Sequence, residues 1–309
     1  MDRVDYDLVI LGGGPAGLTA GLYAARARLN AVLIEKSFLG GQVLITDWIE
    51  NYPGFPEGIT GPQMVKLMND QAERFGLKIE SDEAMSVNFS DSVKKIRLSN
   101  KSITARAVII ATGAGPKRLG VPGEAQFFGK GISTCATCDG PFYRDRVAAA
   151  VGGGDTAVKE SIFLTKFVKK VYLIHRRDQF RAEKIFRERA LANGKIDILW
   201  DTVVTGISGL DRVETVHVRN VKTGEGRALQ ADAFFVWIGI LPNADFLGDA
   251  VKRDELGFVD ADADMETSVP GVFAAGDVRV TSFRQIATAV GDGAIAAHSA
   301  ENYIENRVQ

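Results

Sequence analysis

The sequence predicts an α/β protein whose parallel sheets lie between covering layers, and three observations predict it. An apolar run ending in glycines, YDLVIL at residues 6–11, leads into an alanine- and leucine-rich stretch over residues 16–28 and then a second apolar run, AVLIEK. The same succession returns in VAAAVGGGDTAVKESIFLTKFVKKVYLIHRRDQF. In both copies the side chain that closes the second run stands 23 residues after the first loop glycine: Glu35 after Gly12, and His175 after Gly152. Short apolar runs bounded by glycine are the pattern of buried strands, and a helical stretch between two of them makes a parallel β-α-β unit.

The first loop, GGGPAG, carries Gly12, Gly14 and Gly17 in the spacing G-x-G-x-x-G. Glycine permits the tight turn there and lets backbone N–H groups approach a pyrophosphate at the helix N-terminus. Glu35 follows Gly17 by 18 residues, where a carboxylate can accept from both hydroxyls of a ribose. Glycines alone would fit a tight structural turn, but strand, loop, helix, strand and acid in this order predict a Rossmann-like dinucleotide site.

The second loop has the variant G-x-G-x-x-A, with Gly152, Gly154 and Ala157. Where the first unit ends in an acid, this one offers His175, Arg176 and Arg177, with Arg181 four residues beyond. An acid at that place repels a ribose 2′-phosphate, whereas guanidinium groups bind it bidentately. By itself HRRDQFRAEK is equally a solvated basic helix start. At this offset it predicts NADPH in preference to NADH.

Cys135 and Cys138 are the only cysteines of the chain, and they form a C-x-x-C followed at once by Asp139. Structural zinc needs about four ligands. The three histidines, His175, His217 and His298, stand at no zinc-finger spacing from the pair, so no metal is expected. A redox dithiol is the better reading, and it needs an electron source. A hydride donor reaches a disulfide through a carrier, and flavin is the usual one. The first site is therefore assigned to FAD, between NADPH and the cysteines. Exchange at sulfur also moves protons, which a carboxyl beside Cys138 can supply. The alternative for Asp139 is local, since Asp-Gly-Pro is good turn chemistry.

The bulk numbers agree with this and exclude other classes. At 309 residues the chain has room for about two domains. It is 46% hydrophobic and 25% charged with a formal net charge of −2, so no nucleic acid or anionic membrane is expected as a partner. The N-terminal MDRVDYDLVILGGG has no signal-peptide pattern, and no apolar window is long enough to cross a membrane; the expectation is a soluble, cytoplasmic protein. Alternating segments in 78–110 and 203–237 predict antiparallel strands added to each unit, with NVKTGEG as a hairpin turn.

Taken together, GGGPAG, GGQ (40–42), ENYPGF (50–55), ATGA (111–114), CATCDG (135–140), GGGDTA (152–157), HRRDQFRA (175–182) and AAGDVRVTSFRQIATAVGDGAIAA (274–297) carry a resemblance over nearly the whole chain. The sequence resembles the low-molecular-weight thioredoxin reductases of bacteria, within the two-dinucleotide-fold flavoproteins. The resemblance implies a discontinuous FAD domain with the NADPH domain inserted, divided as 1–114, 115–244 and 245–309, and crossed at ATGA and GILPN. It places Gly41, Gln42 and Asn51 near the flavin, and Asp277, Arg284, Gln285 and Ile286 in the C-terminal flavin motif. It implies that Cys138 faces the flavin, that Cys135 attacks the partner disulfide and that Asp139 protonates the leaving thiolate. Thioredoxin or a thioredoxin-like protein is the implied partner, a homodimer the implied assembly, and rotation of the inserted domain the implied motion.

Some positions depart from the family pattern. Pro141 stands in the segment that docks thioredoxin and also occurs in related alkyl-hydroperoxide-reductase flavoproteins; Ile240 stands where many members have His, and Lys159 replaces a frequent Glu. Lys159 is expected on a solvated helix face and His298 in a structural role. Three other functions share parts of the pattern. Ferredoxin or flavodoxin reductases lack the dithiol, dithiol oxidases tend to lack the arginines, and a nucleotide-binding redox sensor leaves the cysteine pair and its adjacent acid unexplained.

Overall fold

The computed structural model describes residues 4–47 and 49–308, so the first three residues of the charged N-terminal start lie outside the described residues. The chain divides into two compact units: Met1–Gly115 with Leu241–Gln309, and Pro116–Ile240.

The first unit opens with β1 (Tyr6–Leu11), α1 (Pro15–Arg26) and β2 (Ala31–Glu35). Arg28 takes a positive φ of 63°, which ends α1 before the end of the alanine-rich stretch. Next come α2 (Gly61–Arg74), β3 (Lys78–Ser81), β4 (Ala84–Asn88), β5 (Lys94–Leu98), β6 (Ser102–Ile110) and the short β7 (Ala114–Pro116). The second unit contains α3 (Glu124–Phe127), β8 (Ile132–Ser133), α4 (Ala136–Asp139), β9 (Val147–Gly152), α5 (Asp155–Leu164), β10 (Lys170–Ile174), α6 (Lys184–Leu191) and β11 (Ile196–Leu199). It continues through β12 (Thr202–Ser208), β13 (Thr215–Asn220), β14 (Gly226–Gln230) and β15 (Ala233–Trp237), and β16 (Ile240–Pro242) leads back. β17 (Val272–Ala274) and α7 (Ile286–Val308) complete the first unit.

The first sheet runs in the order β3-β2-β1-β6-β5-β4, with β17 also paired to β6. Its strands β3, β2, β1, β6 and β17 are parallel, and β5 and β4 add the antiparallel edge. Both faces of β1 are buried: Leu8 and Ile10 pack with α1 and α7, while Val9 and Leu11 pack with Val108, Ile110 and Leu247. A strand covered on both faces reads as continuous apolar sequence, which is why YDLVIL carries no polar alternation. α7 lies close to α1, since a Cβ on Gly293 would collide with the backbone of Ala16. The small residues of GDGAIAA permit that approach.

The second sheet, β11-β10-β9-β15-β8, is wholly parallel. Ala148, Ala150, Val171 and Leu173 face the helices, in one core with Ala157 and Leu164 of α5. On the other face Ala149, Val151, Phe234 and Val236 meet Val204, Val216 and Leu229. Those last three belong to the antiparallel sheet β12-β13-β14, so the third layer of this unit is a sheet where a helix layer is the common solution. The NVKTGEG turn joins β13 to β14, with the Asn220 side chain accepting from the N–H groups of Lys222 and Thr223. β7 and β16 pair with each other where the chain passes between the units.

Candidate active site: two glycine loops and a disulfide

Glycine caps leave the starts of α1 and α5 open. α2 closes its own N-terminus with a capping box, in which Thr60 accepts from Gln63 N–H and the Gln63 side chain accepts from Thr60 N–H. Gly14 and Gly154, which cap α1 and α5, have no side chain to do the same. Their first-turn N–H groups therefore face outward as an anion site, positive by the helix dipole.

In the first unit the loop is shaped by close approach. Gly12 has φ +108°, and a Cβ there would collide with the backbone of Ala111; a Cβ on Gly17 would collide with the carbonyl of Gly12. Over Gly14 nothing lies within 4 Å of a Cβ, so space is open just where the helix begins. Gly40 N–H donates to Gly13 carbonyl oxygen at 2.8 Å, which lays the Gly41–Val43 turn beside Gly14, with Gln42 exposed. Glu35 Oε2 accepts from Gly13 N–H at 2.7 Å and Oε1 from Ser37 N–H at 2.9 Å. Each oxygen keeps a lone pair for a further donor.

The C-terminal segment adds polar groups. Asn51 Nδ2 donates to Gln285 Oε1 at 2.9 Å, joining two predicted site residues that are 234 positions apart. Burial pushes the Asp277 carboxyl above its ordinary range, partly offset by Arg284. Arg284 packs over the Phe258 ring at 4.3 Å, and burial lowers its pKa despite Asp277 and Asp254. Ile286 is half-buried against the small cluster of Val43, Ile49 and Met64. A desolvated carboxylate, a glycine cradle and an acid at the end of β2 suit a polyhydroxyl dinucleotide such as FAD.

In the second unit Arg181 N–H donates to Gly153 carbonyl oxygen at 2.8 Å, and Glu183 N–H donates to Asp155 Oδ1 at 2.8 Å. The arginine loop is thereby stitched to the glycine loop, with Arg176, Arg177 and Arg181 exposed. His175 is placed differently. Its ring is buried beneath the loop, where a Cβ on Gly153 would collide with it, and Nε2 meets Gln179 carbonyl oxygen at 3.1 Å. Burial lowers its pKa, and Arg177 and Arg181 add to this, so it is neutral at pH 7. The exposed cationic cluster is made by the arginines, and His175 supports the loop from below. Ala157 is fully buried in the sheet–helix core, where a larger side chain would push α5 away. Three guanidinium groups beside an uncapped helix fit a phosphorylated dinucleotide such as NADPH.

Cys135 and Cys138 are joined as a disulfide with Cα atoms 5.3 Å apart. Cys135 caps α4: its Sγ accepts from Cys138 N–H at 3.1 Å, its carbonyl accepts from Asp139 N–H at 3.1 Å, and its own N–H donates to Ser133 Oγ at 3.0 Å. Trp237 Nε1–H, from the end of β15, donates to Thr134 carbonyl oxygen at 3.1 Å and ties the preceding residue to the sheet. Asp139 is half-buried at the end of α4. Among the described residues no group of three or more His, Cys, Asp or Glu could hold a metal ion.

Two residues outside the sequence reading prove prominent. Glu160, on α5, carries a half-buried carboxyl that burial pushes above its ordinary range and that the Ala136 backbone, one residue after Cys135, pulls partly back. Asp292, buried on α7, accepts from Gly276 N–H at 3.0 Å and from Arg279 Nε and Nη2 at 2.7 and 2.9 Å, fixing the turn that carries Asp277. Nothing in the local sequence marks Glu160. Asp292 had one signal, a lone acid among the small residues of GDGAIAA. Lys159 is exposed with its ammonium 4.1 Å from the centre of the Phe186 ring, His298 meets Asn302 on the last helix, and Ile240 is exposed on β16.

Two nucleotide-type loops at the ends of parallel strands, with a C-x-x-C disulfide in the second unit, define a nucleotide-dependent disulfide oxidoreductase. Comparison with known proteins agrees. The family model for pyridine nucleotide-disulphide oxidoreductases matches residues 6–293. A thioredoxin reductase of Treponema pallidum is 46% identical over 303 residues, covering 98% of each chain. The crystal structure of thioredoxin reductase from Streptococcus pyogenes superposes with a TM-score of 0.92 at 45% identity, covering 97% of this chain and 98% of that one. Thioredoxin reductase from Giardia duodenalis gives 0.90 at 36% identity, covering 97% and 99%. The chain belongs to the pyridine nucleotide-disulphide oxidoreductase family, in its low-molecular-weight thioredoxin reductase branch. It is an enzyme that reduces a disulfide substrate with NADPH through FAD and the redox-active Cys135–Cys138 pair.

Proposed function

We propose that the disulfide substrate is thioredoxin or a thioredoxin-like protein, and that the observation carrying this is the Cys135–Cys138 disulfide at the start of α4 with Asp139 directly behind it. FAD, when bound, accepts a hydride from NADPH and passes two electrons to the disulfide. Residues 1–114 and 245–309 form the FAD domain and 115–244 the NADPH domain. Gly12, Gly14 and Gly17 admit the FAD pyrophosphate, Glu35 takes a ribose, and Gly41, Gln42, Asn51, Asp277, Arg284, Gln285 and Ile286 border the rest of the cofactor. Gly152, Gly154 and Ala157 receive the NADPH pyrophosphate, while Arg176, Arg177 and Arg181 hold the 2′-phosphate over the support of His175.

Cys138 is the sulfur that faces the flavin, and Cys135 is the nucleophile toward the partner. Attack by the Cys135 thiolate forms a mixed disulfide, and Cys138 then resolves it. Asp139 supplies the proton that the leaving thiolate needs. The enzyme works as a cytoplasmic homodimer, without nucleic acid or membrane; among the described residues no helix is long and apolar enough to cross a membrane.

The test is steady-state NADPH oxidation with oxidised thioredoxin from the same organism. Consumption that depends on thioredoxin, and that disappears in Cys135→Ser and in Cys138→Ser, is the expected result. Rapid consumption in the absence of any disulfide, unchanged in both variants, would contradict the reading.

A further inference from the structure

The segment that carries the cysteines leaves the second sheet early. β8 has two residues, and on β15 Ile132 pairs with Phe234 and Ser133 with Phe235. The strand pairing ends there, one residue before Thr134. β15 itself runs on to Trp237, whose register partner on β9 is Gly152, the first glycine of the nucleotide loop. Side chains two apart on a strand share a face, and the rings of Phe235 and Trp237 stack with centroids 5.3 Å apart. From that face the indole N–H meets Thr134 carbonyl oxygen at 3.1 Å, in the place where a longer β8 would have made a ladder bond.

Trp237 is only 7% exposed and shares one core with Ala136 of α4 and Ala157 of α5. An indole has one donor and no acceptor, and when buried it needs a partner. A shift of Thr134 away from the sheet strands that donor in the core, which costs more than the net worth of the bond. The peptide before Cys135 is thus held from the end of a central strand.

The other hydrogen bonds described for this segment are local. Ser133 Oγ accepts from Cys135 N–H, Cys135 carbonyl oxygen from Asp139 N–H, and Cys135 Sγ from Cys138 N–H. All of them lie within residues 133–139 and move with it. Among these bonds the indole's alone reaches out to β15, and neither of its atoms belongs to a cysteine, so opening the disulfide leaves it in place.

We propose that Trp237 is a positioning residue of the dithiol, holding Thr134 so that the thiols of Cys135 and Cys138 stay within bonding reach after the disulfide opens. In the reductive step the S–S bond breaks, and two electrons from NADPH through FAD with two protons give two thiols. In the reverse step the thiols lose two electrons and two protons and the S–S bond forms again; Trp237 is unchanged in both. The disulfide is itself a clamp, so loss of the indole bond frees the reduced segment more than the oxidised one. Two thiols that are less well held meet less often, and the equilibrium moves from disulfide toward dithiol. This deepens the function proposed above: it rests on the cysteine pair being redox-active, not on which protein accepts the electrons.

The experiment equilibrates FAD-loaded enzyme with dithiothreitol redox buffers at one pH and counts alkylated thiols by mass spectrometry. Cys135 and Cys138 are the only cysteines of the chain, so the count reports this pair alone. The variant is Trp237→Phe, which keeps an aromatic ring beside Phe235 and removes the donor. Its equilibrium constant for disulfide formation is expected to fall by about two- to tenfold, the size of one hydrogen bond. Affinity for NADP+ is the control, because the nucleotide loop meets only backbone here: a Cβ on Gly152 would lie 2.5 Å from the Trp237 carbonyl oxygen. A lowered constant with unchanged NADP+ affinity supports the proposal. An unchanged constant overturns it, and so does a fall matched by an equal loss of NADP+ affinity, since the whole strand end has then loosened. If Trp237→Phe fails to fold, hydrogen exchange of the Trp237 indole N–H in the wild-type enzyme decides by NMR. Slow exchange in both the disulfide and the dithiol forms supports the proposal, and exchange as fast as a free indole in the dithiol form overturns it. Failure to form a dithiol in any buffer is a separate outcome, which overturns the redox reading of the cysteine pair and the proposal with it.

Discussion

Arg181 and Gly153 are joined by a 2.8 Å hydrogen bond from the arginine N–H to the glycine carbonyl, so the cationic loop and the phosphate loop move as one piece. The three exposed guanidinium groups are thereby held beside the open start of α5. Each charge-assisted hydrogen bond to a phosphate is worth about 1.5–3 kcal/mol. Arg177→Ala and Arg181→Ala are each expected to weaken NADPH binding by about ten- to a hundredfold while changing NADH binding little. Titration of both nucleotides against each variant checks this, and an equal loss for NADH would mean that the loop had collapsed.

The collision of a Gly153 Cβ with the His175 ring gives a second prediction. Gly153→Ala pushes the ring or the loop aside, so NADPH affinity falls while FAD content stays at the wild-type level. His175 also sets an acid limit on stability. Its folded pKa is lowered, so the folded state binds this proton less readily than the unfolded chain. Its contribution is complete above the unfolded value, about 6.5, and is lost as pH falls below it toward the lowered folded value. His175→Phe is expected to flatten this part of the pH–stability curve, measured by urea unfolding.

Asp277 gives the opposite sign. Burial raises its pKa in the folded chain, so the folded state holds its proton more tightly than the unfolded one. The stabilisation is present below the unfolded pKa, about 3.9, and is lost as pH rises through the raised folded value. At neutral pH the FAD-free protein carries a desolvated carboxylate, and Asp277→Asn is expected to stabilise it. The same variant loses a charged acceptor, so its FAD affinity is expected to fall by about tenfold. Thermal unfolding of apoprotein and fluorimetric FAD titration measure the two effects separately.

Asp292 and Arg279 form a bidentate pair with side chains only 11% and 17% exposed. Removing one partner strands the other, at a cost of about 3–5 kcal/mol. Asp292→Ala is expected to destabilise the first unit by that order, and Asp292→Ala with Arg279→Ala by less than the sum of the two singles. Denaturant unfolding of the four proteins closes the cycle.

Much of the fold was legible in the sequence because it depends on local patterns. Apolar runs with both faces buried, glycines with nowhere to put a Cβ, and an equal offset in both copies mark the β-α-β units without reference to distant residues. The antiparallel additions were legible for the same reason, since KKIRL and TVHVRN alternate at period two and bury alternate residues. The site was legible where backbone carries it. It was illegible where side chains from separate elements meet. His175 looked like part of the exposed cluster because the sequence cannot show that its ring turns under Gly153. Nothing in the sequence set Glu160 apart, because only the packing of α4 against α5 brings it near Ala136. The third layer of the second unit was half visible: the strands were, but not their place over Phe234 and Val236.

The most direct test of the electron path follows the flavin absorbance in the absence of oxygen. NADPH is added to the FAD-loaded enzyme, and then oxidised thioredoxin is added. Bleaching by NADPH followed by recovery on adding thioredoxin, with recovery abolished in Cys138→Ser, is the predicted result. Full recovery in Cys138→Ser would contradict the account, because electrons would then reach the acceptor without passing through the Cys135–Cys138 pair.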